Sequence, residues 1–425
     1  MTDPKRLIIP AKITESKSFE GGRREALSNH CLVCDAEGKL SRCSACRVGR
    51  YCSREHQLQD RERHKLGCRD IKVLRAQLQV DDHDLRNTTD PTTSANAFDL
   101  DVGRFWEFEM TRQYICTRFM VADLCRLAGT LDGTVEAIEH MQDMLRLCDS
   151  DHLDLRYAIP PMMLQLDRDQ ECYNFIKWWQ TRHIDDNGQE HEMYHPDVCS
   201  RPANPLESIA WLDHDNVDVE HLGAMLLLKL KLLIDVIALK RARKVIEHRL
   251  DVELWTYVDR HVVRSKLSTE WSSKSYKELT AVQQRLEQHA IFIGGLLSKI
   301  TKHFPAALLD PDRYLKISVE TKTRGSIEET VFLLHSSYGA WWNHEGVLEL
   351  LQNALFLAAV KSKAESKTWL PAVEQMMAGQ AISNVPFLKV KNINKKMWQC
   401  LPEAVDTAFD LNQLPTFPML RNWEK

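Results

Sequence analysis

At 425 residues the chain is longer than one small module needs and suits a small module beside one or more large domains. A hydrophobic fraction of 44% provides for a substantial core, and with only 16 Gly and 15 Pro the composition leans towards helix. A formal net charge of -4 excludes a strongly basic protein with bulk affinity for nucleic acid.

Residues 1–28 are rich in Lys, Glu and Ser with little periodicity and read as a flexible tail. Their apolar triplet Leu7-Ile8-Ile9 is too short for the core of a secretory signal. Six of the twelve cysteines crowd between positions 31 and 68. That clustering differs from the spread pairs of a secreted disulfide scaffold and fits metal ligands in a reducing compartment, cytoplasmic or nuclear.

The crowded segment reads Cys31-x2-Cys34, Cys43-x2-Cys46, Cys52-x3-His56 and His64-x3-Cys68. A Cys-x2-Cys pair suits a tight turn that aims two thiolates at one tetrahedral zinc. The last two pairs are spaced i, i+4, which on a helix places both side chains on one face. Two zinc ions with four ligands each use all eight positions and leave no place for water, which marks structural rather than catalytic sites. The segment alone is too short to bury an adequate core, so metal must supply its folding energy, about 10–16 kcal/mol per site in small fingers. Nine Lys or Arg stand against six Asp or Glu between positions 29 and 70, and six thiolates outweigh the charge of two zinc ions, leaving the finger nearly neutral. Phosphate binding needs several uncompensated cations on one face, so the balance favours protein contact.

The ligand order, the Tyr51-Cys52 pair and Gln57 resemble the MYND finger family over residues 29–70. The resemblance implies interleaved pairs: Cys31, Cys34, Cys52 and His56 on the first zinc, and Cys43, Cys46, His64 and Cys68 on the second. His56 stands where the family usually has cysteine, and imidazole serves zinc equally. In the family, the glutamine and a tryptophan four residues later line a groove for short proline-containing peptides. Here those positions are Gln57 and Arg61, so the aromatic platform is replaced by a cation. A RING finger normally has a longer second spacing than the one between Cys34 and Cys43. The triplet Asn29-His30-Cys31 superficially matches part of a SET methyltransferase motif, but Cys31 already serves as first zinc ligand and no SET cofactor motifs flank the finger.

Beyond the finger, residues 71–102 read as a linker, on the loop composition of Asp81-Asp82-His83-Asp84 and the Asn, Thr and Pro cluster that follows. Residues 103–382 read as helical. Apolar residues recur at helical spacing over 104–128 and 134–148, and a further helix pair is expected across 157–176. Paired amphipathic helices with short breaks imply stacked hairpins, and residues 137–179 resemble a tetratricopeptide repeat. Residues 331–355, with Trp341-Trp342 echoing Trp178-Trp179, are a second such unit, the tryptophans being core. The finger followed by "VGRFWEF" and "DRDQECYNFIKWW" resembles a group of fungal MYND-finger proteins. Residues 183–219 are polar and acidic and read as a long surface loop. The longest apolar run, 222–228, is too short to cross a bilayer and predicts a buried helix. The run Lys240-Arg241-Ala242-Arg243-Lys244 reads either as a nuclear localisation signal or as the charged end of that helix. Residues 383–425 read as irregular, with four prolines.

One catalytic pattern occurs: His191-Glu192-Met193-Tyr194-His195 matches His-Glu-x-x-His, in which two histidines one helical turn apart hold zinc and the glutamate activates water. Asn187-Gly188 before it and Pro196 after it predict a loop instead. The sequence thus predicts a mainly α protein with two structural zinc ions, no enzyme, acting as an adaptor for other proteins in transcriptional or chromatin regulation, without direct nucleic-acid or membrane binding. Peptide segments would meet the finger and larger surfaces the helical domain. The alternative is a zinc hydrolase built on His191, Glu192 and His195.

Overall fold

The computed structural model describes residues 27, 30–34, 36–94, 96–182, 193–246, 261–309, 311–319, 321–363 and 393–409. They fall into two compact units, one ending at Pro202 and the other beginning at Ala203. This boundary lies inside the stretch 103–382 read as one helical domain. The described residues are mainly helical, with a single two-stranded sheet.

The first unit starts with the finger. Strands β1 (Ser41–Arg42) and β2 (Arg50–Tyr51) form an antiparallel hairpin, with Ser41 opposite Tyr51 and Arg42 opposite Arg50. Helix α1 (Arg54–Gln59) begins at Ser53, whose hydroxyl accepts the His56 N–H. Asp60 keeps helical backbone angles and leads directly into α2 (Arg61–Arg86). The segment 71–86, assigned above to a linker, is therefore the continuation of a 26-residue helix. Its acidic run misled composition, because Ile71, Asp81 and Leu85 turn inwards while Lys72, His83 and Asp84 stay outside. A short α3 (Ala97–Leu100) follows.

Helix α4 (Glu109–Leu127) packs along α2 on one side and along α5 (Leu131–Leu147) on the other. Residues 128–130 make the reversal, and Thr130 caps α5 by accepting the Gly133 N–H. Gly133 is required by proximity: a Cβ there would lie 2.3 Å from the Cys125 carbonyl oxygen. Helices α6 (Leu155–Gln165) and α7 (Asp169–Thr181) continue the succession of neighbours, α5 on α6 and α6 on α7. Trp178 and Trp179 meet Phe175 and Tyr194 in an aromatic cluster, with Trp179 buried. The acidic segment expected to be a surface loop is packed down over its described part. Tyr194, Val198, Cys199, Ile209, Leu212 and Val217 are all buried, because these apolar side chains among the charges leave water for the protein interior.

The second unit is organised on α8 (Val219–Ile246), buried on nearly all faces as the apolar run predicts. After a short α9 (Lys266–Thr269), α10 (Tyr276–Ile300) packs along α8. Two short helices, α11 (Phe304–Leu309) and α12 (Pro311–Leu315), precede α13 (Ile327–Trp342) and α14 (Val347–Lys363). Part of the basic run on α8 is held in the packing. Lys240 is buried and donates to Gln283 at 2.6 Å, and buried Arg243 donates to the Ser272 carbonyl. The C-terminal stretch read as irregular contains α15 (Ile393–Gln399) and α16 (Leu401–Phe409). Pro402 sits in the first turn of α16, where a missing N–H costs nothing.

Replacing Gly133 by alanine drives a methyl into the α4 backbone, which has no rotamer with which to yield. Gly133→Ala is expected to destabilise the first unit by about 1–3 kcal/mol. Urea unfolding followed by helical circular dichroism measures it; an unchanged midpoint would refute the close crossing.

Candidate metal centre

Two groups of four ligand atoms come together in the finger: Cys31, Cys34, Cys52 and His56, and Cys43, Cys46, His64 and Cys68. Within each group all ligand atoms lie within 4.8 Å of one another. A tetrahedral zinc with Zn–S of about 2.3 Å and Zn–N of about 2.0 Å sets S···S edges near 3.8 Å and S···N edges near 3.5 Å. The first group has Cys34 and Cys52 sulfurs 3.6 Å apart and His56 Nδ1 at 3.6 Å from Cys31 and 3.4 Å from Cys34. The second has Cys43 and Cys68 sulfurs at 3.7 Å and Cys46 Sγ at 3.4 Å from His64 Nε2. The donor sets thus fit one zinc each, and the finger binds two. The interleaving is the one the resemblance implies.

The chain builds these groups from unlike pieces. Cys31 and Cys34, and likewise Cys43 and Cys46, stand on turns. The Cys43 turn is closed by the Arg47 N–H on the Cys43 carbonyl at 2.9 Å and the Cys43 N–H on the Gly49 carbonyl at 2.8 Å. A Cβ on Gly49 would press on His64 Cε1 at 3.1 Å and Leu32 Cδ1 at 3.2 Å, so a larger residue here would have to push the α2 ligand or Leu32 aside by a few tenths of an ångström. His64 and Cys68 do share a helix face, as their spacing predicts. Cys52 lies just before α1 and only His56 is helical.

Tyr51 braces the centre. Its buried ring stands edge-on to His64 with centroids 5.9 Å apart, and its hydroxyl donates to Asp60 at 2.7 Å. Asp60 also accepts from Arg63 at 2.6 Å, and Arg63 donates to the Leu32 carbonyl. Burial first, then the Asp60 contact, push the Tyr51 hydroxyl far above its ordinary range, so it remains a donor.

In the metal-free chain the thiols differ. Burial raises Cys31, but the N–H groups of Cys52, Val33 and Cys34 outweigh it and bring the thiol down to about 6. Cys43 is lowered in the same manner, burial being overcome by the Cys46 N–H and His64. Desolvation, then Cys34 and Cys31, push Cys52 up to about 11. Desolvation, then Cys46 and Cys43, push Cys68 up to about 12. Each centre therefore holds one thiol that gives up its proton more readily than usual and one whose proton the metal must displace.

The finger is fastened to the helices behind it. Arg50 of β2 makes a bidentate pair with Asp132 in the first turn of α5, with the Nη2–Oδ1 contact at 2.7 Å. Arg75 of α2 grips Glu136 of α5 at 2.6 and 2.7 Å and also donates to the carbonyl of the ligand Cys46. These arginines carry no metal-ligand spacing, and nothing in the sequence pattern pointed to them. Gln57 is half-buried on α1, and Arg61 is exposed at the start of α2.

The hydrolase motif does not gain a site. His191 and Glu192 lie outside the described residues. The described remainder, Met193 to His195, is not helical. Tyr194 is buried in the aromatic cluster, and exposed His195 accepts the Asp197 N–H at 3.3 Å. Among the described residues, the two finger groups alone bring three or more ligand-type side chains together. No helix among them is long and apolar enough to cross a membrane.

Residues 29–68 match the family model of the MYND finger. No curated protein and no solved structure matches the chain, so the comparison speaks for the finger and not for the helices behind it.

Two outcomes follow from this geometry. Apparent zinc affinity should fall as pH is lowered, because the protons of Cys52 and Cys68 compete with the metal; competition against a chelating dye at several pH values measures this, and a flat profile would refute it. Arg75→Met should cost about 2 kcal/mol by leaving Glu136 with His140 alone and the Cys46 carbonyl without its guanidinium partner, and zinc should leave the variant faster than the wild type under chelator.

Proposed function

We propose that the chain is a protein-interaction adaptor whose MYND finger is presented on a helical support. The observation that carries this reading is the match of residues 29–68 to the MYND finger together with two four-ligand groups that use every donor. A zinc so enclosed has no open position for a substrate, and its contribution is to hold a surface in shape. Gln57 and Arg61 are proposed as partner contacts of that surface. The exposed Leu58 and Leu66 beside them supply apolar area. With Arg61 in place of an aromatic platform, the finger is proposed to prefer partners that offer an acidic group over those that offer proline alone. The helices of both units are proposed as the larger docking surfaces, and transcriptional or chromatin regulation as the setting, the latter on the finger's family alone.

The test is affinity capture with the zinc-loaded full chain, quantified by mass spectrometry beside a Gln57→Ala/Arg61→Ala variant and a chelated sample. A subset of captured proteins should be lost in both, with zinc content and helical signal of the variant unchanged. Identical sets from all three samples would overturn the adaptor reading of the finger.

A further inference from the structure

Behind the finger, a cavity of about 360 Å³ opens between the Cys43–Cys46 turn and helices α2, α4 and α5. Arg47, Arg75, Asp82, Tyr114 and Glu136 line it, together with Leu78, Gln79 and His140. Its size lies within the range of small-ligand pockets, about 300–1,000 Å³.

The charges around it are almost all spent on one another. Arg75 and Glu136 form a bidentate pair at 2.6 and 2.7 Å. Asp82 receives Arg86 at 2.9 and 3.2 Å. His140 Nδ1 accepts from Arg118 at 3.1 Å, and Arg118 also pairs with Asp143. The exception is Arg47. It is exposed, and among the described residues its guanidinium has no hydrogen-bond or ion-pair partner. The surrounding apolar surface comes from Leu78 and the Tyr114 ring, the latter buried. A cavity whose one uncompensated charge is a guanidinium, bordered by an aliphatic and an aromatic side chain, selects a carboxylate carried on an apolar segment.

We infer that this seam is a binding site for an acidic side chain of a partner peptide, with Arg47 as the anchor and Leu78 and Tyr114 receiving the flanking apolar residue. The site deepens the adaptor reading and rests on it, but it lies apart from Gln57 and Arg61. It also depends on the second metal centre. Arg47 follows the ligand Cys46 directly, and the turn holds it at φ 62°, a backbone conformation rarely adopted outside glycine. Arg75, the wall of the cavity, is bonded to the carbonyl of that same ligand. Loss of the metal from Cys43, Cys46, His64 and Cys68 therefore dismantles the anchor.

The experiment screens the zinc-loaded full chain against amidated, acetylated heptapeptide libraries with randomised flanks and a fixed central glutamate, glutamine or lysine. The wild type should enrich the glutamate library about tenfold over the glutamine one, with apolar flanks. Arg47→Ala should lose that preference while retaining its zinc and helical signal, and Arg47→Lys should keep part of it. The Arg47 variants are read in the Gln57→Ala/Arg61→Ala background, where the finger surface's own acidic preference is removed and the seam's glutamate enrichment should remain. Peptides captured equally with glutamate and glutamine, or a glutamate preference that survives Arg47→Ala, would overturn the seam site while leaving the adaptor reading standing. Capture of no peptide by the wild type would overturn the seam site, and the proteome capture above would then decide the adaptor reading by itself.

Discussion

The joining of a two-cysteine turn to the opening turns of a long helix, through Cys43, Cys46, His64 and Cys68, is the constraint on which the first unit depends. A short segment with a two-stranded hairpin has almost no core of its own, and metal ligation replaces the missing hydrophobic term. Because two of the four ligands belong to α2, the same ligation that folds the finger fixes where a 26-residue helix begins and which face it turns inwards. That face then meets α4, and α4 meets α5 across Gly133. Arg50 and Arg75 close the circuit by returning from the finger to Asp132 and Glu136 on α5. The finger is thus one wall of the first unit rather than a bead on a tether. Partly buried bidentate pairs of this kind fix geometry more than they add net stability, since desolvation offsets much of the Coulomb gain.

The second unit solves a different problem. Helix α8 is apolar on nearly every side, yet it carries Lys229, Lys231, Asp235 and Lys240 in buried positions. Each polar head that can be followed has a definite use. Lys229 donates to the Pro205 carbonyl, and Lys240 to Gln283, which in turn donates to Glu287. Asp235 accepts the N–H groups of Arg264 and Ser265 at 3.0 and 2.9 Å, securing the chain just before α9. Long aliphatic stems are buried with the leucines while their ends reach backbone or amide partners. Two of the four cations in the run 240–244, Lys240 and Arg243, are held in this way, as suits the charged end of a buried helix.

Much of the finger was legible because zinc imposes short, fixed spacings. Eight donors in four pairs define the ligands, and i, i+4 spacing at His64 and Cys68 defines a helix face. The helices 109–127 and 131–147 were legible from apolar periodicity, to within a few residues of their ends. Where reading failed, a local composition signal was outweighed by distant contacts. Asp81, Asp82 and Asp84 look like a linker, but Ile71 and Leu85 commit that stretch to helix against α4. The residues after 193 look like a solvated loop, but Tyr194 finds Trp178 and Trp179. Pro402 looks like a breaker and is a helix start.

By itself, then, the sequence determined the metal, its ligands, the helical class and the buried character of α8, because each rests on local spacing or on the chemistry of single side chains. Tertiary structure alone decided that the finger is anchored by Arg50 and Arg75, that Arg47 is left uncompensated over a cavity, and that the chain divides after Pro202. Those features depend on which residues, 61 to 82 positions apart, are brought within hydrogen-bond reach. An ion pair leaves no periodicity in a sequence; only the packing of α2 and α5 against one wall of the finger selects Asp132 and Glu136 from the many carboxylates the chain contains.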